Sequence, residues 1–419
     1  MFYSLKSLFV HIYSIFLFIT QSRFRGASTR IHISMRGNHF GPCSVEVFQL
    51  AIESGVQVDL GVPSPTEFET LNVKFLSNYE SKQFRILKQG SIESFRSVLI
   101  AATHVAFENV FETVFGCTLC RLGMKKNIIK VPDGVVTKTQ GNIVKSRETP
   151  RFPKAWFTSP RSAHVTYAHQ SGIDIYRVAV NCQVPSATLM RCVGMPRFGR
   201  AEAISNGKRK PVVSPKLLEH LRERKKNVLV ALTKNYFNDD LEWFCHQLDC
   251  DVKQLNQALE TLGVNLWFKE HQSKFDYRKT IGINTPNFSN IKFIHPEDCF
   301  SSVDLSPYFD LLLTDISSIY IDLLIADIPI GFINYDSWKH SGSFCYPYEY
   351  FYPGKKINEY ADLECFFEDF FDKGMDDYAH ARGVARTMYL GDGINKYYWE
   401  RVIRGVYMNS INDMENFKS

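Results

Sequence analysis

The stretch that decides the fold is "LLLTDISSIYIDLLIADIPIGFINYD", residues 311–336. It reads as a buried strand, a short helix and a second strand that starts after Pro329. Such a unit builds a parallel sheet with a right-handed crossover. The polar residues Asp315, Ser317 and Ser318 interrupt the apolar run where the first strand ends. Because ligands of open parallel sheets bind outside the carboxyl ends of the strands, these three residues are candidates for a binding site.

The same alternation of strand and helix runs through the rest of the chain. Ahead of the quoted stretch, strands are predicted at "VLVALT" (228–233), "VNLWFKEH" (264–271) and "NIKFIHP" (290–296), with helical sequence in one or two pieces over 239–263. In the first half, the predicted elements are a strand "RIHISM" (30–35), a helix over 43–55, a strand "VQVDLGV" (56–62), a long buried helix over 94–116 and a short strand within 127–134. A last helix is predicted over 396–411.

Length and pattern together predict two domains. The chain has 419 residues, and a single core rarely grows past about 250–300 residues. A basic segment with two prolines, residues 207–227, is the predicted joint, and its charges form either a solvated face or a patch for a polyanionic substrate or lipid headgroups. The predicted parts are an apolar N-terminal helix (1–25), two Rossmann-like domains (26–206 and 207–390) and a closing helix with a tail (391–419).

Composition excludes several classes of protein. The chain shows no short-period repeat and no low-complexity tract, which argues against a solenoid or a disordered scaffold. A net charge of +5 is too small to indicate a nucleic-acid partner. The ten cysteines are scattered, which indicates reduced thiols in a cytoplasmic protein. Cys117 and Cys120 form a single CxxC pair, so buried thiols are favoured over a zinc or redox site, and no metal or cofactor is expected.

The N-terminal segment "FYSLKSLFVHIYSIFLFITQSRFR", residues 2–25, has apolar residues at helical spacing beside a weakly polar stripe. Arg23, Arg25 and Arg30 follow, at the level where anionic headgroups lie. This pattern predicts an amphipathic helix at the membrane interface. A signal peptide and a helix packed on the protein's own core are the alternatives.

Polar residues at other predicted strand ends extend the candidate site. Lys269 and His271 alternate along one strand end, so both point to one face and both can contact phosphate oxygens. Ser317 and Ser318 begin the next helix, where unpaired N–H groups favour an anion. The alternative role for these serines is a structural N-cap, with Asp315 capping as well. His39 occupies the corresponding turn in the first half of the chain.

The quoted stretch resembles the C-terminal core of the CDP-glycerol glycerophosphotransferase family, the teichoic-acid polymerases and related capsule-polymer transferases. The matching motifs are the loop 314–318, Asp322, Pro329, Tyr335 with Asp336, "FKEHQ" (268–272), Pro353 with Gly354, and "RCVGMPRFG" (191–199) with Gly194, Pro196 and Arg197. Order and spacing agree from about residue 160 to 367. The resemblance implies an α/β fold of GT-B type, in which two Rossmann-like domains face a central cleft, with the donor in the C-terminal domain and the acceptor on the N-terminal side.

By this resemblance, the protein is expected to transfer glycerol or ribitol phosphate from a CDP-activated donor to a glycan or polyol-phosphate polymer at the cytoplasmic face of the membrane. A sugar transferase of the same fold with a nucleotide-sugar donor is one alternative, and a catalytically lapsed module that binds nucleotide or polymer is another. The partners expected are thus the donor, the polymer acceptor and the membrane, without nucleic acid.

The resemblance also implies roles for single residues. His169, in "YAHQSGID", is the expected general base for the acceptor hydroxyl, and Gln170 stands where the family usually has glycine. Lys269, His271, Ser317 and Ser318 would hold the donor diphosphate. Asp315 is placed among the catalytic residues as the group that orients His271 and the loop. Further contacts to donor or acceptor are predicted for Arg197, Gly354, His39 and Lys234, the last standing where the family has arginine.

Overall fold

The computed structural model describes residues 30–35, 37–101, 103–107, 115, 128–131, 164–167, 190–192, 195–223, 226–233, 240–269, 288–299, 301–315, 317–334 and 352–390. They fall into two compact units that divide between Pro196 and Arg197. The predicted N-terminal helix over 1–25 and the predicted closing helix over 396–411 lie outside the described residues.

The first unit is built on a seven-stranded parallel sheet. Its strands are β1 (Arg30–Ser34), β2 (Gln57–Val62), β3 (Phe84–Lys88), β4 (Thr103–Phe107), β5 (Ile128–Val131), β6 (His164–Tyr167) and β7 (Met190–Cys192), in the order β3-β2-β1-β4-β5-β6-β7. The helices among its described residues are α1 (Pro42–Glu53), α2 (Pro65–Leu76) and α3 (Ile92–Ile100). The predicted elements over 30–62 are confirmed, and α1 gives way to β2 through Gly55, whose φ of 71° suits glycine.

The second unit is built on a six-stranded parallel sheet. Its strands are β8 (Lys226–Ala231), β9 (Val264–Lys269), β10 (Ile291–Ile294), β11 (Leu311–Thr314), β12 (Ile330–Ile333) and β13 (Lys355–Ile357), in the order β10-β9-β8-β11-β12-β13. The helices are α4 (Pro196–Ser205), α5 (Pro215–Leu221), α6 (Asp240–Leu248), α7 (Val252–Leu262), α8 (Ser302–Leu305), α9 (Ile319–Leu323), α10 (Tyr360–Phe367) and α11 (Ala379–Leu390).

Both sheets have the strand order of a doubly wound dinucleotide-binding fold, 3-2-1-4-5-6, which β7 extends in the first unit. The order reverses between β1 and β4 in the first sheet and between β8 and β11 in the second. Ligands of such sheets bind at this reversal, beyond the carboxyl ends of the two strands. The predicted α/β class with parallel sheets is therefore confirmed, and in the second unit the ligand edge lies beyond Ala231 and Thr314.

One predicted element is wrong. The long buried helix expected over 94–116 ends as α3 at Ile100, and the chain then turns extended at Ala101 and enters β4. Thr103 and Val105 are both buried, and β4 pairs with β1 along its length. An apolar run of this kind is compatible with both a helix and a strand. Residues 103–107 form a strand because they pair with β1 and β5 in the sheet.

The helical sequence over 239–263 forms two helices, as one form of the prediction had it. Asp249, with φ of 51°, separates α6 from α7, and the Asp251 carboxylate caps α7 by accepting from the Gln254 backbone N–H at 2.8 Å. Gly263 ends α7 in the left-handed conformation, with φ of 64°.

The core of the second unit lies between its sheet and these helices. Buried side chains from both meet there, among them Val230, Trp243, Phe244, Leu259, Phe268 and Leu313. On the other side of the sheet Tyr320 is buried, and its hydroxyl lies 2.9 Å from that of Tyr389 on α11. Within the described part of the chain, no helix combines the length and apolar character that crossing a membrane requires.

Candidate functional site

Asp315 joins the two strand ends at the reversal point of the second sheet. It directly follows β11, and its side chain is buried. Its Oδ1 atom accepts hydrogen bonds from the backbone nitrogen and the hydroxyl of Thr233, which follows β8, each at 2.9 Å. The same oxygen accepts from the Ser317 backbone nitrogen at 2.9 Å. One carboxylate thus fixes the loop after β11 to the end of β8.

The two serines of this loop are partly buried and precede α9. Ser318 occupies the N-cap position of α9, but its hydroxyl makes no capping hydrogen bond. The capping alternative therefore does not account for this hydroxyl. The helix is only five residues long and continues as a 3-10 turn over Leu324–Ala326. A helix this short contributes little dipole, so a bound phosphate would depend on backbone N–H groups, serine hydroxyls and nearby cations.

Lys269 brings a cation to the same edge of the sheet. It ends β9, which is paired to β8, and is partly buried. Among the described residues its ammonium has no hydrogen-bond or ion-pair partner. Burial lowers the pKa of Lys269, and the nearby Cys299 and Asp322 act in the opposite direction. A desolvated ammonium without an ion-pair partner favours binding of an anion.

Arg197 and Asp322 form a buried ion pair beside this cation. Arg197 lies in the first turn of α4, and its Nη2 atom is 2.9 Å from Asp322 Oδ1 on α9, with side chains 6% and 7% exposed. The pKa of Asp322 is raised overall, because the effect of burial outweighs three opposing effects. These are the charge of Arg197, a hydrogen bond from Ser302 and the charge of Lys269. Arg197, a predicted ligand contact, is thus held by a carboxylate of its own unit.

Gly354 is required by packing. It follows Tyr352 and Pro353 and lies against β12. A Cβ atom at this position would come 2.1 Å from the Ile330 carbonyl oxygen, a distance that no side chain tolerates. The Pro-Gly segment therefore brings the chain against the sheet before β13 starts, and a ligand contact by Gly354 stays a prediction.

His39 lies in the turn between β1 and α1 in the first unit and is partly buried. Its neighbour Asn38 builds this turn by accepting from the Ser64 backbone nitrogen at 2.8 Å and donating to Glu67 at 2.6 Å. The turn follows β1, so His39 stands at the ligand edge of the first sheet. His169, His271 and Lys234 lie outside the described residues, and their roles stay predictions.

Two residues that the sequence reasoning did not assign to the site take part in its geometry. Thr233 is the last residue of a predicted strand, and Asp322 is one residue of the matching motifs. The signal for Asp322 was available, because an acid within an otherwise apolar helix needs a partner. Its partner Arg197 is distant in sequence, and only the fold shows the pair.

Comparisons with known proteins found a matching family model and similar solved structures. A family model described as CDP-glycerol:poly(glycerophosphate) glycerophosphotransferase matches residues 222–404. This segment includes all six strands of the second sheet together with Lys269, Asp315, Ser317 and Ser318. A search of curated proteins found no match.

Among solved structures, two of the wall teichoic acid polymerase TagF resemble the chain over its length. One has a TM-score of 0.69 at 15% identity and covers 100% of both chains, and the other has a TM-score of 0.68 at 15% identity and covers 98% of both. The structure of S. aureus MnaA with UDP has a TM-score of 0.51 at 9% identity and covers 89% of this chain and 94% of that one. These likenesses show a shared parallel α/β fold, and the resemblance drawn from the sequence motifs is confirmed by the family match.

Proposed function

We propose that the protein transfers a polyol phosphate from a CDP-activated donor to a growing surface polymer. The proposal starts from the match of residues 222–404 to a family model described as CDP-glycerol:poly(glycerophosphate) glycerophosphotransferase. Glycerol phosphate and ribitol phosphate are the groups proposed for transfer. The acceptor is a glycan or a polyol-phosphate chain that ends in a free hydroxyl.

The position of Lys269 is the main structural support for this proposal. Its ammonium stands at the ligand edge of the second sheet without a hydrogen-bond or ion-pair partner among the described residues, in the segment that matches the family model. A diphosphate supplies the missing negative charge. The Ser317–Ser318 loop, which Asp315 ties to Thr233, offers hydroxyl and N–H donors at the same edge.

The proposed reaction is a direct displacement at phosphorus. The acceptor hydroxyl attacks the phosphorus that carries the polyol, a new P–O bond forms, and the bond from this phosphorus to the bridging oxygen breaks. His169 takes the proton of the hydroxyl, and CMP leaves with the electron pair of the broken bond. Lys269 and His271 stabilise the negative charge that accumulates on the leaving phosphate. No cofactor beyond the donor is proposed.

The test is release of CMP from CDP-glycerol or CDP-ribitol by the folded full-length protein when acceptor is supplied. CMP release that depends on the acceptor supports the proposal. Failure of both donors with a competent acceptor overturns it, and turnover of a nucleotide-sugar instead identifies a sugar transferase. Thermal shifts with a donor panel give a second readout, because a bound donor raises the melting temperature.

Membrane association through residues 1–25 is part of the same proposal. A polymer that is extended at the cytoplasmic face requires its polymerase to stay near that surface, and an interfacial helix provides such an anchor. Deleting residues 1–22 is expected to move the protein from the membrane fraction to the supernatant. If the truncated protein still sediments with membranes, a different surface is responsible.

A further inference from the structure

We infer that Asp322 is the positioning residue of the donor site, because one buried carboxylate holds Arg197 and lies on the helix that follows the Ser317–Ser318 loop. The inference rests on the proposed function. It adds a residue to which neither the motif nor the family comparison assigns a role. In this arrangement Asp322 does not touch the donor, and it acts through the two cations.

The first step is the placement of Asp322. It lies on α9, the helix that starts directly after the Ser317–Ser318 loop. Its carboxylate is 2.9 Å from Arg197 on α4 and accepts a hydrogen bond from Ser302 on α8. Asp322 thus links three helices of the second unit, and one of them leads out of the loop proposed to hold the diphosphate.

The second step is the charge balance. Arg197 and Lys269 are the two basic groups that interact electrostatically with Asp322, so the three side chains together bring two basic groups and one acid. The surplus of one positive charge suits a dianionic or trianionic diphosphate. Without the carboxylate, the buried Arg197 would lose its ion-pair partner, and the two cations would repel each other across a poorly solvated space.

The third step concerns what else faces Lys269. Cys299 lies close to it, but burial raises the pKa of this thiol to about 12, so it is neutral in the range where enzymes are assayed. Arg200 and Asp304, which also act on Cys299, neutralise each other because Arg200 donates two hydrogen bonds to the Asp304 carboxylate. Among the described residues, Asp322 is therefore the acid whose charge opposes the effect of burial on the pKa of Lys269.

The Arg200–Asp304 pair offers a matched control. It is also buried, also joins α4 to a neighbouring helix, and its carboxylate also accepts from the Val212 backbone nitrogen, at 2.7 Å. Removing either carboxylate is expected to destabilise the unit. Only the loss of Asp322 is expected to change donor binding and its dependence on pH.

The experiment compares Asp322→Asn, Asp322→Glu and Asp304→Asn with the wild type, in the full-length protein. The donor KM, kcat and melting temperature are measured from pH 6 to 10 with CDP-glycerol or CDP-ribitol and acceptor. For Asp322→Asn we expect a donor KM roughly tenfold higher at neutral pH, because Arg197 loses its ion-pair partner and the two cations are no longer held in place. We expect the alkaline fall of kcat/KM to move to lower pH by about one unit, since the ammonium of Lys269 then loses its proton more easily. In Asp322→Glu, which keeps the carboxylate, the alkaline fall of kcat/KM should lie close to its wild-type pH.

Asp304→Asn should lower the melting temperature, and its kcat/KM should fall at the same alkaline pH as that of the wild type. A wild-type donor KM and pH profile in Asp322→Asn, with active wild-type enzyme, overturns the inference alone. If the wild type turns over neither donor, the proposed function fails, and the inference fails with it.

If Asp322→Asn does not fold, Ser302→Ala is the variant to test, because it removes only the hydroxyl bonded to the carboxylate. A donor KM at least doubled with kcat unchanged then supports the inference, and a wild-type KM contradicts it.

Discussion

Asp315 accepts two hydrogen bonds from Thr233, one from its backbone nitrogen and one from its hydroxyl, each 2.9 Å long. The two residues follow β11 and β8, the neighbouring strands between which the order of the second sheet reverses. The contact therefore connects the ends of the two central strands at the ligand edge of this sheet. Since the same carboxylate also holds the Ser317 backbone nitrogen, the position of the loop depends on it.

Replacing Asp315 by asparagine should impair transfer more than stability. The amide keeps one acceptor oxygen but loses the charge that draws three donors to one atom, so the loop shifts. We expect kcat/KM for the donor to fall roughly a hundredfold, the effect of displacing groups that position a substrate by about 1 Å. Asp310→Asn is the control, because Asp310 also accepts a backbone N–H, that of Asn227 at 2.8 Å, at the opposite end of β11. Equal activity of both variants would contradict a role of Asp315 in the site.

The contrast between Asp315 and its partner shows what the sequence could predict. The apolar runs that became β8, β9, β11 and β12 predicted the strands, and the polar residues behind them predicted the ligand edge. That Thr233 and Asp315 meet depends on β8 and β11 being neighbours, which no local pattern determines.

Other elements were missed for related physical reasons. The helix α11 was not predicted, because it is held by a tertiary contact rather than by a strong apolar stripe. Its Arg382 is buried and donates to Asp376 at 2.6 Å and to Asp327 at 3.1 Å. The buried pair of Arg197 and Asp322 was invisible for the same reason, since ion pairs between distant segments leave no periodic signal.

Lys269→Met should weaken donor binding and stabilise the fold at the same time. Loss of a charged contact to phosphate is expected to raise the donor KM roughly 10- to 100-fold. The folded-state pKa of Lys269 lies below its ordinary value because of burial, so the charged group is a penalty for folding. This penalty is complete below the folded-state pKa and disappears as pH rises through the ordinary value of 10.5. The variant should therefore melt at an equal or higher temperature near neutral pH.

The control for Lys269→Met is Lys292→Gln. Lys292 lies on the adjacent strand β10, and its ammonium donates to the Phe288 carbonyl oxygen at 3.4 Å. This variant should keep the wild-type donor KM. A Lys269→Met protein with an unchanged donor KM would exclude Lys269 from the diphosphate site.

Asp59→Asn should destabilise the first unit. The Asp59 side chain is fully buried on β2 and accepts from Arg85 at 2.8 and 2.7 Å, from Arg30 at 2.7 Å and from Ser97 at 2.6 Å. Burial opposes ionisation, but the hydrogen bonds from Arg85 and Ser97 and the charges of both arginines lower the pKa of Asp59 overall. Because Arg85 is half exposed, we expect a loss of about 2–3 kcal/mol in the free energy of unfolding, below that of a fully buried pair.

The stabilising effect of Asp59 is expected to depend on pH. A carboxylate with a lowered folded-state pKa stabilises the protein at pH values above 3.8, the ordinary value, and this contribution disappears as pH falls through the lower folded-state pKa. Denaturant titrations at pH 7 and at pH 3 should therefore differ less for Asp59→Asn than for the wild type. Glu67→Gln, which changes an exposed acid bonded to Asn38, should match the wild type at pH 7.

His169→Ala tests whether the protein is a working enzyme or a lapsed binding module. If His169 is the general base, its removal should lower kcat by about 10² to 10⁴ and leave the donor KM nearly unchanged, since the base acts on the acceptor hydroxyl. His220→Ala is the control, because His220 is an exposed residue of α5 whose ring nitrogen lies 2.8 Å from the Lys216 carbonyl oxygen. In cells that lack the wild-type protein, the His169 variant should fail to restore polymer while the His220 variant restores it. Normal polymer with the His169 variant, at equal protein level, would remove His169 from the mechanism and favour the binding module.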